Sequence, residues 1–160
     1  MSSFCPKCGT ALASQIVDSE ERAACPNTAC GFVLWNNPTP VVAMVVETPG
    51  GVVFARNVKW PRHFYSVITG FLEAGEEPAE CAVRETKEEL GLDASSCDLI
   101  GVCGFEQQNQ VIIGYHLHAD GDIVLNEELD DFRMMQPERI KPWEFGTGII
   151  IRQWLEQRFG

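Results

Sequence analysis

From residue 70 to residue 92 the chain reads GFLEAGEEPAECAVRETKEELGL, and this stretch constrains the fold more than any other. A glycine turn is expected at its start, followed by a helix. Pro78 stands where proline suits the first helical position, and Gly91 where glycine closes a helix. At about 100° per residue, Ala79, Ala82, Val83, Thr86 and Leu90 share one stripe, which predicts the buried face. Glu85, Glu88 and Glu89 gather on another face, within an arc of about 100°, and no lysine lies on that arc. Like charges three and four apart cost a helix roughly 0.2–0.5 kcal/mol per pair. The cluster therefore has two readings. One is a solvated acidic face, as most charge runs are. The other is an oxygen-donor site for a hard divalent cation, Mg²⁺ or Mn²⁺.

The spacing bears on that choice. Gly70, Glu76, Arg84, Glu85, Glu88, Glu89 and Gly91 stand at the fixed positions of a motif that resembles the signature of the Nudix hydrolases, and Leu92 suits its final aliphatic position. Thr86 departs where the family prefers an aliphatic residue; it lies on the buried stripe, so the departure touches packing more than chemistry. The resemblance implies an α/β fold, the Nudix α/β/α sandwich with a mixed sheet, and hydrolysis of a pyrophosphate bond in a nucleoside diphosphate derivative.

Composition sets the outer bounds. With 160 residues, 45% of them apolar, the chain can bury a sizeable core as one domain or as one domain and a small module. Acidic residues number 23 against 12 basic, a net charge of −11. That balance disfavours nucleic acid and membrane surfaces, which call for basic patches. The aliphatic run at residues 41–46 is too short to span a bilayer. The start MSSFCPKCG shows no signal-peptide pattern, so a cytoplasmic location is expected.

Of the seven cysteines, four form two knuckles: Cys5 with Cys8, followed by Gly9, and Cys25 with Cys30, followed by Gly31. Pairs of this kind suit four-thiolate zinc coordination. The alternative is a pair of disulfides, which the odd cysteine count and the cytosolic-looking start argue against. Cys81, Cys97 and Cys103 follow no ligand spacing and are expected as buried thiols.

In order, residues 1–35 are expected to form a zinc ribbon and residues 41–160 the Nudix domain, with a proline-bearing linker between them. Strands are expected over 41–47, 52–56, 64–69, 99–106 and 111–118, with short ones at 123–125 and 132–135. Residues 48–51 read as a hairpin turn, Asn126 as the cap of an acidic turn over 127–131, and 148–159 as a closing helix.

A zinc ribbon joined to this domain resembles the NADH pyrophosphatase branch, as do Trp60-Pro61, residues 65–71, residues 121–124 and Gly146-Thr147. The Ser-Gln-Pro-Trp signature of that branch is absent from residues 103–110. The resemblance implies metal binding by the Gly70 carbonyl, Glu85, Glu88 and Glu89, with one helix glutamate also able to accept a proton from water. It implies an orienting pair in Glu76 and Arg84 and an aromatic stacking position at Phe71. Glu128 is a further candidate ligand, or simply part of an acidic surface turn. Gln107, Gln108 and Asn109 are either substrate contacts or an ordinary polar hairpin tip. The expected function is metal-dependent cleavage of NAD(H), ADP-ribose or a similar compound to release AMP. The expected cofactors are catalytic Mg²⁺ or Mn²⁺ and structural Zn²⁺. The expected partners are a small-molecule nucleotide and, as an assembly the family allows, a second copy of the chain. The alternative is a catalytically weak nucleotide-sensing protein on the same fold.

Overall fold

The computed structural model describes residues 4–160, which divide into a unit ending at Asn37 and a second running from Pro38 to Gly160. In the first, β1 (Ala13–Val17) and β2 (Glu20–Ala24) form an antiparallel hairpin. Asp18 and Ser19 turn it with φ of 51° and 67°, the left-handed pair that suits a two-residue turn. The cysteine pairs lie in two tight loops. Gly9 N–H donates to the Cys5 carbonyl at 2.8 Å, and Cys30 N–H to the Asn27 carbonyl at 2.9 Å. Gly9 and Gly31 both have left-handed φ, 73° and 66°, which is the physical reason a glycine follows each pair.

The second unit is built on β3 (Thr39–Thr48). Parallel β7 (Gln110–Asp120) pairs with one edge of it. On the other edge lie antiparallel β5 (Ile68–Phe71), at Val41 to Met44, and β4 (Gly51–Asn57), through the hairpin. β6 (Asp93–Phe105) extends the sheet beyond β7, and β8 (Leu129–Met135) extends it beyond β4. Val42, Met44 and Val46 pack on the face covered by α1 (Pro78–Leu90), whereas Ala43 and Val45 pack on the face covered by α2 (Thr147–Phe159). Two covered faces explain the unbroken apolar run in β3. The expected α/β/α sandwich with a mixed sheet is the observed architecture.

Several elements differ from expectation. Gly70 is not in a turn: it lies inside β5, opposite Val42. Residues 64–67 form no strand apart from an isolated bridge between Ser66 and Ala55. Residues 123–125 are irregular, yet Ile123 and Leu125 pack on the core and Val124 N–H donates to the Leu90 carbonyl at 2.9 Å. A helix end supplies the hydrogen bond that strand pairing would have supplied. The acidic turn is shorter than expected, and β8 begins at Leu129.

Candidate active site

α1 opens with Pro78 and closes at Gly91, whose N–H donates to the Lys87 carbonyl at 3.0 Å. Its buried residues are Cys81, Ala82, Thr86, Glu89 and Leu90. The predicted stripe is thus corrected at one edge: Val83 is 40% exposed and Cys81 is buried. Thr86 tolerates complete burial because its hydroxyl donates to the Ala82 carbonyl at 2.8 Å. Its methyl then fills the aliphatic position.

The three glutamates of α1 do share a cavity of about 400 Å³ with Gly70, Phe71, Asn126 and Glu128. Its other walls come from β4 and from residues 66–69. Glu85 packs directly over β5. A Cβ placed on Gly70 would lie 2.2 Å from Glu85 Cγ, so only glycine lets the helix carboxylate lie against the strand. Glu89 is 9% exposed, more deeply buried than a cleft-lining residue needs to be. Burial, then the charges of Glu85, Glu128 and Glu88, push its carboxyl up to about 8. Burial likewise raises Glu85.

The arc that carries no lysine is served by an arginine. Arg84 forms a bidentate pair with Glu76, Nε to Oε1 at 2.7 Å and Nη2 to Oε2 at 2.9 Å. Its Nη1 donates to Glu85 at 2.9 Å and to Glu88 at 3.1 Å, and Nη2 reaches the Phe71 carbonyl at 3.3 Å. Glu76 also accepts from Glu73 N–H at 2.9 Å. The Arg84 guanidinium holds the Glu76 carboxyl down at about 2. One side chain thus ties together the loop, the strand end and two helix carboxylates. Arg84 makes no such bond to Glu89. A buried carboxylate among other carboxylates, with oxygen donors only, has the chemistry of a hard-cation site.

A second cavity, of about 280 Å³, adjoins the first and shares Trp60, Ser66, Thr69, Gly70 and Phe71 with it. Aromatic rings dominate its walls. Trp60 and Phe64 meet edge to face at 5.1 Å, Phe64 and Trp143 at 5.9 Å, and Phe105 and Phe145 stack at 6.2 Å. Phe71 is 60% exposed at the junction of the two cavities. Gln107, Gln108 and Asn109 sit on the exposed turn between β6 and β7 and line neither cavity; that hairpin contributes Phe105 and Gln110. Sequence reasoning missed Phe64, Phe105, Trp143 and Phe145. The only hint was the aromatic pair at 143 and 145 just before α2, and nothing local says that it meets residues 60–64.

The loop carrying Trp60 and Phe64 is braced from behind. Arg56 donates through Nη1 to the Arg62 carbonyl at 2.9 Å and through Nε to Asp130 at 2.7 Å. Tyr65 donates its hydroxyl to Asp131, while the Arg133 guanidinium lies 4.0 Å over the Tyr65 ring.

In the first unit the structure brings Cys5, Cys8, Cys25 and Cys30 together, with all four sulfurs within 4.8 Å of one another. Cys5 and Cys30 Sγ are 3.6 Å apart, and Cys8 and Cys25 Sγ 3.5 Å. Tetrahedral zinc with Zn–S bonds of about 2.3 Å places sulfurs about 3.8 Å apart, so the donor set suits that ion. All seven cysteines are free thiols. The Thr10 hydroxyl beside Cys8 holds that thiol down at about 6.

Comparison with known proteins agrees with both units. The NUDIX domain family matches residues 37–154, and the family described as Nudix N-terminal, a zinc ribbon, matches residues 3–35. A Pseudomonas aeruginosa protein named NAD-capped RNA hydrolase NudC is 30% identical over 162 residues, covering 98% of this chain and 57% of the relative. The Stutzerimonas stutzeri protein of the same name is 27% identical with the same coverage. The chain thus spans little more than half the length of these relatives. Among solved structures, a NUDIX hydrolase from Nitrosomonas europaea matches with a TM-score of 0.80 at 24% identity, over 98% of this chain and 92% of that one. An ADP-ribose pyrophosphatase from Streptococcus suis matches with a TM-score of 0.63 at 14% identity, over 78% and 94%. At these identities the two structural matches show the fold.

Proposed function

The chain belongs to the NUDIX family, and from that premise we propose that it is a metal-dependent hydrolase that cleaves the pyrophosphate bond of a nucleoside diphosphate derivative to release AMP. NAD(H) and ADP-ribose are the model substrates. The observation that carries this reading is the junction of two cavities, one lined by carboxylates and one by aromatic rings, sharing Gly70 and Phe71. A diphosphate bound through cations to the carboxylates would place an attached ring or sugar in the aromatic cavity.

Glu85, Glu88 and Glu89, with the Gly70 carbonyl and Glu128, would hold Mg²⁺ or Mn²⁺. When bound, such ions neutralise the diphosphate and lower the pKa of a coordinated water. The chain's own residues provide the rest. Arg84 fixes two of the carboxylates before any ligand arrives, and Glu76 fixes Arg84. That preorganisation spares the side-chain ordering cost on binding. Phe71 offers a ring face at the mouth of the aromatic cavity. Cys5, Cys8, Cys25 and Cys30 would hold structural Zn²⁺.

The P. aeruginosa relative is named for NAD-capped RNA, which carries the same pyrophosphate. With a net charge of −11, this chain offers little attraction for an RNA body, so a free dinucleotide or ADP-sugar is favoured. AMP release from NADH, NAD, ADP-ribose, an NAD-capped oligonucleotide and nucleoside triphosphates, each with and without Mg²⁺ or Mn²⁺, tests the reading. Metal-dependent AMP release from the ADP-linked compounds is expected. A strong preference for nucleoside triphosphates would overturn it.

A further inference from the structure

A second group of metal-ligating side chains lies far from the carboxylate cavity. Glu47 stands near the far end of β3, where that strand turns into β4 rather than pairing with β5. At about 3.3 Å per residue it is roughly 17 Å along the strand from Val42. His116 and His118 alternate on β7 and so point to the same face. Glu47 is the register partner of His118 across the parallel pair. The face is that of α2, since His116 packs 5.3 Å from the Trp154 ring. The carboxylates of α1 lie on the opposite face of the sheet.

The three side chains already touch. His116 Nε2 lies 2.9 Å from Glu47 Oε2, the two imidazole rings meet edge to face at 4.6 Å, and one ligand atom from each residue lies within 4.8 Å of the others. On β6, Ser96 stands opposite His118 and Asp98 opposite His116. The Ser96 hydroxyl is buried with no hydrogen-bond partner.

We propose that Glu47, His116 and His118 form a second metal site, selective for zinc-class ions, with a coordination position left open to water. Two imidazoles and one carboxylate favour Zn²⁺ over Mg²⁺, which prefers an all-oxygen shell. Three protein ligands with an open position is a common zinc arrangement, and its ligand atoms stand roughly 3.3–3.6 Å apart, a small side-chain adjustment from those found here. A side-chain cation already pairs with Glu47. Arg158, on the last turn of α2, donates through Nη1 to the same Glu47 oxygen at 2.8 Å. Its guanidinium also lies 5.3 Å over Trp154 and 5.7 Å over Phe159, so it has aromatic faces to occupy once displaced. Zn²⁺ would replace the single positive charge of the guanidinium with two.

The chain has three histidines, and His63 lies outside the cluster. This makes a clean assay: imidazole NMR of the full chain, ribbon zinc retained and Mg²⁺ in excess to occupy the α1 carboxylates, titrated with Zn²⁺. The His116 and His118 signals should shift while His63 stays. His118→Ala and Glu47→Gln should each weaken this second zinc by at least about tenfold, as the loss of even an outer partner does. Arg158→Gln should bind it several-fold more tightly, an outcome that a purely structural ion pair would not produce. Zinc bound only at the ribbon, equal shifts at His63, or equal affinity in His118→Ala and wild type would overturn the site. None of these outcomes depends on whether the chain hydrolyses pyrophosphates.

Discussion

The ribbon and the NUDIX domain answer the same problem, holding a short chain together, in opposite ways. In the ribbon, the buried apolar-class side chains among the described residues are Cys5, Ala24 and Cys25, so two of the three belong to the four-cysteine cluster. In the second unit, Met44, Leu90, Leu92, Leu117, Ile150 and Ile151 are fully buried, in two cores on either side of one sheet. The first unit has little buried apolar surface, and its four clustered cysteines offer metal coordination in its place. The second has a core that can hold Glu85 and Glu89 together against their mutual repulsion. On the proposed reading, metal would build the ribbon, whereas the sandwich builds the carboxylate cavity.

The largest test of that contrast is Cys25→Ser. Structural zinc contributes on the order of 10–16 kcal/mol to modules of this size. The variant should lose zinc by elemental analysis and lose amide protection up to Asn37, while the strands from β3 onward keep theirs. Full zinc occupancy, or unfolding of both units together, would break the contrast.

Next comes Glu88→Gln, where the fold should survive and activity should not. The side chain is exposed, and its loss relieves like-charge repulsion in α1. A direct ligand should cost more than the roughly 10–100-fold lost with an outer partner. Unchanged thermal unfolding with a near wild-type rate at saturating Mg²⁺ would remove Glu88 from the site.

Glu89 sharpens the same point through pH. Its folded pKa of about 8 lies above the roughly 4.3 of an unfolded glutamate. Its protonated form therefore contributes stability below about pH 4.3 that is lost as pH rises through 8. Without added divalent metal, urea unfolding of the second unit should show wild type losing stability relative to Glu89→Gln across that window. Added Mg²⁺ should shrink the difference. A pH-independent difference would mean that the carboxyl is not strained by its neighbours.

The smallest effect is expected at Phe71→Ala. Ring stacking of this kind is worth about 1–3 kcal/mol. KM for aromatic-ended substrates such as NADH should rise more than KM for ADP-ribose. Equal losses on both would leave Phe71 as loop packing or an adenine contact.

Much of this was legible before any coordinates, because the determinants are local. Helix α1, its caps and its acidic face follow from spacing within a few turns, and the cysteine knuckles follow from residues at most five apart. The misreadings share one cause. Phe64 to Val67 read as strand from their apolar character, yet only Ser66 finds a partner, at Ala55. Gly70 read as a turn because glycine often is one, yet here it is a strand residue kept bare for Glu85. Val83 was assigned to the buried stripe in place of Cys81, because periodicity gives the width of a face but not its centre.

The sequence by itself determined the donor sets. Four cysteines in two knuckles and three glutamates on one helix face are placed by local spacing alone, as a sulfur donor set and an oxygen donor set. Tertiary structure alone decided what those donors are worth. It buried Glu89 among its neighbours and gave Arg84 to Glu85 and Glu88 but not to Glu89. It closed an aromatic cavity from Trp60, Phe105 and Trp143, and it set Glu47 beside His118 across a parallel strand pair. Arg84 meets Glu85 and Glu88 within one helical turn, but the aromatic cavity, the Glu76 and Phe71 contacts of Arg84 and the Glu47–His118 pair join residues far apart in the chain, where approach depends on how the sheet is ordered and on no local spacing.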